Sequence, residues 1–292
     1  MFRSLAAGLG WLADYMRWRG PAGIPLALWH VGFCFLAPAG RRIKAPAGGG
    51  RTVRLRARAS DIRVYRKIVV QREYELSPDR AEAIDRRCAR AKAAGRRPLI
   101  IDAGGNIGLF AQEAARRWPQ ADLLCVEPHR GNLAMARRNC TGLRNVGFRD
   151  AALWSSAGRL TPEDVDAAEG AFSYRPAEAD SRLADVSTEA VTLDALLAER
   201  PDAELVLLKM DIEGAEAEAL APDAEFWRHR PAILIEPHDF LPGRSATLRG
   251  LLSQQDFHDA DIEIRGEGLF VFPTERPELE LHGRAPLSLA AG

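Results

Sequence analysis

Cysteine is scarce in this chain of 292 residues: Cys34, Cys88, Cys125 and Cys140, with no Cys-x-x-Cys pair among them. That excludes a zinc ribbon and argues against a disulfide-stapled scaffold. Cys125 lies in an apolar run and reads as a buried free thiol, which places the chain in a reducing compartment, the cytoplasm. Long hydrophobic runs are missing too. Ile24 to Ala39 comes nearest, but it is shorter than the roughly 20 apolar residues of a spanning helix, and His30 interrupts it. A secretory leader fits poorly, because a longer and more charged stretch precedes that run. Net charge is absent overall, with 40 basic and 40 acidic side chains. No Asn/Asp-Pro-Pro-aromatic motif that would grip a flipped base occurs, so a nucleic-acid partner is not expected. No metal-ligand spacing is present, and no metal is expected. There is no internal repeat. What remains is an ordinary folded composition, 47% hydrophobic and 27% charged, which excludes wholesale disorder.

The charge is unevenly placed. Residues 1–75 hold 14 basic and 4 acidic side chains, a net of +10, which leaves −10 for the remainder. Met1 to Arg19 alternates apolar residues with Arg3, Asp14, Arg17 and Arg19, as an amphipathic surface helix would. Two readings stay open for this part: it packs on the protein, or it makes a peripheral contact with an anionic membrane surface. Residues 1–50 are thus a helical, apolar extension that ends in a linker at 40–50. Arg51 to Val70 alternates like a pair of strands, and 77–95 reads as a helix, so that 51–97 leads into the core.

From Pro98 the pattern becomes regular. Pro98–Ala103, Asp122–Glu127, Asn145–Arg149, Glu204–Asp211 and Ala232–Glu236 are short apolar runs, read as buried strands. Helical stretches separate them, at Ile107–Trp118, Arg130–Cys140, Ala215–Leu220 and Ser245–Gln254. This alternation predicts an α/β fold with a doubly wound parallel sheet. The last two strands turn at Gly266–Gly268, a hairpin signal that brings the sheet to seven strands with an antiparallel C-terminal hairpin. A purely parallel dinucleotide fold has no reason to end so, whereas a class I methyltransferase does. The core domain is 98–275, with a polar insertion at 154–188 and a tail at 276–292.

Five constellations carry chemistry. Asp102-Ala-Gly104-Gly105-Asn106-Ile-Gly108 follows a strand and opens a helix, where glycines let a ligand approach the backbone. A carboxylate at Asp102 would sit beside a cationic ligand group, such as the amino group of a methionine moiety, and would repel a pyrophosphate. Glu127 ends the second strand, where an acid can accept from both hydroxyls of a ribose. Asp150, followed by Ala151, ends the third and could accept from an adenine amino group. Lys209-Met-Asp211-Ile-Glu-Gly214 ends the fourth, so Asp211 points at the same crevice as Asp102. Glu236-Pro-His238-Asp239 ends the fifth, and His238 has the chemistry of a general base near neutral pH.

With these residues in place, the chain resembles the FkbM family of S-adenosylmethionine-dependent methyltransferases. The matching stretches are IDAGGNIGLF, VEPHRGNLAMARRN, FRDAALWSSAG, VTLDALL, LLKMDIEGAEAEAL and AILIEPHD, together with VRLRARASDIRVYRKIVVQREYEL upstream. The resemblance implies a Rossmann-like fold and O-methylation of a hydroxyl on a sugar, a glycan or a glycosylated small molecule. It implies that Asp102, Gly104 and Gly108 contact the methionine part, Glu127 the ribose and Asp150 the adenine, with Gly105, Asn106 and Ala151 as further cofactor-binding residues. Gly105 stands where the family more often has alanine, a departure expected to loosen the turn. His238 is nominated as general base and Asp211 as the next candidate. Two other readings stay open: a catalytically silent cofactor-binding module, and a nicotinamide-dependent oxidoreductase that shares the glycine turn and Glu127. Neither the acceptor nor the oligomeric state is legible.

Overall fold

The computed structural model describes residues 5–166, 171–176, 187–220, 224–239, 247, 250–251 and 259–274. It begins with two helices, α1 (Leu5–Arg19) and α2 (Gly23–Leu36), joined by one 3₁₀ turn at Gly20–Ala22. Their close crossing depends on Gly23, where a Cβ would overlap the carbonyl oxygen of Tyr15. Tyr15 and His30 are fully buried and joined by a 2.9 Å hydrogen bond between the phenol and Nδ1. Burial lowers the imidazole to about 4, so it stays neutral.

The glycine-rich stretch at 40–50, expected as a linker, instead makes a hairpin. Strand β1 (Arg42–Pro46) pairs antiparallel with β2 (Thr52–Arg56), Ala45 opposite Val53 and Ile43 opposite Leu55. Gly48, Gly49 and Gly50 all have positive φ and make its turn. The second half of the expected strand pair, residues 61–70, is helical. It runs as α3 (Asp61–Tyr65) and continues as one π-helical turn, Arg66–Val70. Its many β-branched residues favour a strand, but Ile62, Tyr65, Ile68 and Val69 recur at helical spacing and are all buried. Packing on α1 overrides local preference. Asp14 of α1 anchors this turn: it accepts from the Arg66 guanidinium, from Gln71 at 3.0 Å and from Arg17 at 2.9 Å.

After α4 (Pro78–Ala93) the alternation begins, with β3 (Arg97–Ala103), α5 (Leu109–Arg117), β4 (Asp122–Val126), α6 (Arg130–Asn139) and β5 (Val146–Arg149). Residues 152–191 hold β6 (Ala152–Leu153), β7 (Gly158–Asp166), β8 (Ala171–Pro176) and β9 (Thr188–Val191). These four form their own sheet, in the order β6-β9-β7-β8. The polar insertion is therefore a strand-bearing appendage rather than a loop. The core resumes with α7 (Leu193–Ala198), β10 (Ala203–Met210), α8 (Glu216–Ala219) and β11 (Ala232–Ile235), and it closes with β12 (Ala260–Arg265) and β13 (Gly268–Pro273). The helix expected at 245–254 falls largely outside the described residues, as does the tail at 276–292.

The main sheet has seven strands in the order β12-β13-β11-β10-β3-β4-β5. β5, β4, β3, β10 and β11 run parallel, and β13 is antiparallel to both of its neighbours. This is the class I methyltransferase arrangement, closing hairpin included. Side chains alternate between two cores. Ile100, Leu123, Cys125, Leu207, Leu234 and Phe270 face one, together with α4, α5, α6 and the N-terminal helices. Leu99, Ile101, Leu124, Leu208, Ile233 and Val271 face the other. Both faces are covered, so the strands read as unbroken apolar runs.

The N-terminal helices thus share a core with the sheet. Asp14→Ala would leave the partly buried Arg66 guanidinium without its buried partner, at a cost of about 1–3 kcal/mol. Urea unfolding monitored by circular dichroism would show this, and a loss under about 0.5 kcal/mol would mean that α1 docks without the pair.

Candidate active site

β3 and β10 are neighbours in the sheet but continue in opposite directions across it, and ligands of open α/β sheets bind at such a reversal. A cavity of about 350 Å³ opens there, within the roughly 300–1,000 Å³ of ligand pockets. Gly104, Gly105 and Asn106 line one side of it. The turn is held down by two amides, Gly104 N and Gly105 N, donating to Val126 O at 3.0 and 3.1 Å. Gly104 has φ +70°, and a Cβ there would overlap the Asp211 carbonyl oxygen. Gly108, at φ +75°, lets α5 approach α6, since a Cβ would lie 2.8 Å from Ala136 Cα. It serves helix packing and does not line the cavity.

Asp102 is placed differently from the expectation. It is fully buried behind the turn, off the cavity wall, and its cation is Lys209 at 3.2 Å. A carboxylate this deep in the sheet requires a partner from the chain itself. Burial pushes its carboxyl up, and Lys209 opposes that shift. Lys209 lines the cavity and donates to Gly104 O at 2.9 Å. Asp102 therefore shapes the turn through Lys209 rather than by meeting a ligand cation.

Glu127 does line the cavity. It accepts from Asn106 N at 2.8 Å and His129 N at 2.9 Å. Burial pushes its carboxyl up to about 7 despite these donors. Asn106 is held at φ +47°, and its buried Oδ1 has no hydrogen-bond partner. Ala151 is fully buried and on the wall. Asp150 is not: its half-exposed side chain turns outward to Arg130, 3.4 Å away. Solvent and a neighbouring cation hold it at the rim.

The opposite side is a network of charge. Asp211, Glu213 and Glu236 line it, as does Lys67 from the π-helical turn. The Lys67 ammonium contacts Glu236 and lies 3.2 Å from Asp211, which also accepts from the Tyr74 hydroxyl at 3.2 Å. Burial opposes ionisation of Asp211, but Lys209, Lys67 and His238 together outweigh it and bring the carboxyl down to about 2. So acidic a group is a poor general base near neutral pH, contrary to expectation. His238 is also displaced from its expected place. It is buried behind the wall, with Nδ1 2.8 Å from Glu216 Oε1 and Nε2 3.5 Å from Glu213 Oε2. Burial disfavours the imidazolium, but Glu216, Asp211 and Glu213 more than compensate and raise its pKa. The group of this pair that meets the cavity is Glu213, whose pKa is raised by burial and by Asp211.

Sequence reasoning missed Lys67, Tyr74 and Glu213 as members of the site. Glu213 stood in the quoted motif. Lys67 was hidden by the strand reading, although the helical spacing of Ile62, Tyr65, Ile68 and Val69 pointed to it. Asp211, Glu213 and His238 also bring ligand atoms within 4.8 Å of one another, a set that suits a divalent cation. Such an ion would compete with Lys67 for Asp211.

The family profile described as Methyltransferase FkbM domain matches residues 102–267. Methyltransferase sdnD of Sordaria araneosa is 34% identical over 170 residues, 48% of this chain and 66% of that protein. Methyltransferase 1 of Beauveria bassiana (strain ARSEF 2860) is 31% identical over 180 residues, 54% of this chain and 72% of that protein. The chain thus spans just under two thirds of the first relative. Among solved structures, a methyltransferase from Geobacter sulfurreducens superposes with a TM-score of 0.34 at 14% identity, covering 72% of this chain and 87% of that one.

Gly105 has a local cause. A Cβ at this position would overlap Cys125 Sγ, which is fully buried in β4, and would lie 3.2 Å from Asp102 Oδ2. The glycine fits a tight contact and does not loosen the turn. Gly105→Ala is expected to cost about 1–3 kcal/mol by overpacking. In a Cys125→Ala background the same change should cost less than about 0.5 kcal/mol. Denaturant unfolding of the four proteins in this cycle measures the coupling, and equal costs in both backgrounds would remove Cys125 as the cause.

Proposed function

The chain belongs to the FkbM methyltransferase family, and on that premise we propose that it is an S-adenosylmethionine-dependent O-methyltransferase acting on a hydroxyl of a sugar, a glycan or a glycosylated small molecule. The observation that carries this reading is the division of one cavity into two sides. A glycine turn with Glu127 forms one, and an ionised network around Lys67, Asp211 and Glu213 forms the other.

The first side fits the cofactor. Gly104 leaves no room for a side chain, Asn106 Oδ1 is buried without a partner, and Glu127 offers a carboxylate next to Ala151. Glu127 would hold a ribose, Ala151 would floor the adenine, and Asp150 would act only after leaving Arg130. Lys209 keeps the turn in shape. When bound, S-adenosylmethionine would supply its sulfonium methyl to the acceptor oxygen, a C–O bond forming as the C–S bond breaks and S-adenosylhomocysteine leaves. The second side suits a hydroxyl-bearing acceptor. Aligning it with the donor can contribute roughly 7–11 kcal/mol. Glu213 takes the hydroxyl proton. His238 acts on Glu213 as a positioning residue, its positive charge opposing the rise that burial and Asp211 impose on that carboxyl. Lys67 offers an ammonium to negative charge on the acceptor oxygen. Three described thiols, Cys88, Cys125 and Cys140, are buried and unpaired, which supports the cytoplasm as the compartment.

Calorimetry with S-adenosylhomocysteine tests the cofactor side. The ionised form of Glu127 is the one that accepts from both ribose hydroxyls, and its carboxyl sits at about 7. Affinity is therefore expected to rise as pH passes from 6 to 8, and Glu127→Gln should be weaker and flat with pH. Binding of NAD in place of S-adenosylhomocysteine would favour the oxidoreductase reading.

The acceptor side has its own test. Glu213→Gln should lower kcat by about 10²–10⁴-fold with cofactor affinity kept. In His238→Ala, Glu213 loses the cation that favours its ionised form, so its pKa rises. The acidic limb of the pH–rate profile must then move to higher pH. A limb that stays in place removes His238 from the mechanism. Cofactor binding without transfer to any hydroxylated acceptor would mark a silent binding module.

A further inference from the structure

The N-terminal helix pair buries one face in the core and leaves the other bare. On α2, Gly23, Ala27 and His30 point inward, while Ile24, Leu28, Trp29 and Leu36 point out. Leu28 is 60% exposed, Trp29 48% and Leu36 84%. At about 100° per residue, Ile24, Leu28, Leu36 and Trp29 fall within about 140° of one another, one broad face of the helix. Leu9 and Met16 of α1 are also exposed. These six are most of the eight large apolar side chains that the described residues expose, the other two being Ile262 and Ile264 at the sheet edge. Such concentration marks an interaction surface.

The surrounding charge identifies the partner. From residue 5 to residue 72 the chain has two acids, Asp14 and Asp61. Both are buried and bound to arginine, Asp14 to Arg66 and Asp61 to Arg56. Arg17, Arg19, Arg41, Arg42 and Lys44, by contrast, are exposed at the two ends of the apolar stripe. An apolar face whose flanking segments expose arginine and lysine, with no exposed acid from residue 9 to residue 72, complements an anionic bilayer surface. The pair cannot cross: α2 has 14 residues, about 21 Å of helix against roughly 30 Å of hydrocarbon. No helix among the described residues is long and apolar enough to span a membrane.

We propose that α1 and α2 dock this protein onto anionic lipid bilayers, lying in the interface with Leu28, Trp29 and Leu36 inserted and the flanking basic side chains on the lipid headgroups. Docking is independent of the cofactor reading. It bears on the cavity all the same, because Arg66, held by Asp14 of α1, adjoins Lys67 on the cavity wall.

The test is co-sedimentation of the full chain with vesicles of equimolar phosphatidylcholine and phosphatidylglycerol, beside vesicles of phosphatidylcholine alone. The protein is expected on the anionic vesicles, released by salt, and much weaker on the neutral ones. Leu28→Ser/Trp29→Ser and Arg41→Gln/Arg42→Gln should each weaken partitioning by about tenfold or more. S-adenosylhomocysteine binding should stay unchanged in both variants; melting temperature should stay unchanged in Arg41→Gln/Arg42→Gln and fall slightly in Leu28→Ser/Trp29→Ser, because the half-exposed Trp29 ring packs on His30 and Phe33. The proposal falls if the unmodified protein ignores anionic vesicles, or if Leu28→Ser/Trp29→Ser binds them as well as the parent does. It falls too if that variant instead abolishes a concentration-dependent dimer seen by sedimentation, which would assign the face to a second copy.

Discussion

The ion pair between Asp102 and Lys209 underlies the whole site. It joins the ends of β3 and β10, the two strands between which the sheet reverses; Asp102 is fully buried, and Lys209 is nearly so, meeting only the cavity. Two charges in such a place are tolerable only together, since removing one leaves the other stranded at a cost of roughly 3–5 kcal/mol. The same ammonium also donates to Gly104 O, so the pair presses the glycine turn against the sheet. Held there, Lys209 is also one of three cations, with Lys67 and His238, that keep Asp211 acidic.

Beyond that pair, the cavity balances acids with few cations. Lys67 and Lys209 stand among Asp211, Glu213, Glu236 and Glu127. The carboxylates divide according to how near they are to an ammonium. Asp211, close to both, is strongly acidic; Glu127, served mainly by amides and deeply buried, is pushed up to about 7. Environment, not residue type, assigns the tasks: one carboxylate is a fixed negative charge and the other titrates near neutrality.

The sheet was legible in the sequence because its strands are buried on both faces and its turns carry glycine. Five apolar runs and the hairpin turn at Gly266–Gly268 are enough to draw it. The strand ends showed where the site lies, but not which way each side chain turns. Asp102 and Asp150 stand at the expected positions, yet one faces inward to Lys209 and the other outward to Arg130. Those partners lie 107 and 20 residues away in sequence, beyond any local pattern. Residues 61–70 were misread for the same reason, since β-branched side chains yielded to a tertiary contact with α1. The hairpin at 42–56 was misread because a glycine run describes a turn as well as a linker.

The π-helical turn places Arg66 and Lys67 side by side, one reaching Asp14 in the first helix and the other Asp211 and Glu236 in the cavity. The family match begins only at residue 102. The unit that is recognised and the unit that works therefore have different edges. A chain cut to the recognised edge would keep every strand-end residue from Asp102 to His238, yet Asp211 and Glu236 would lose the cation between them, and one face of the sheet would lose part of its cover. Through Lys67, the residues before the family match are thereby part of the site's charge balance.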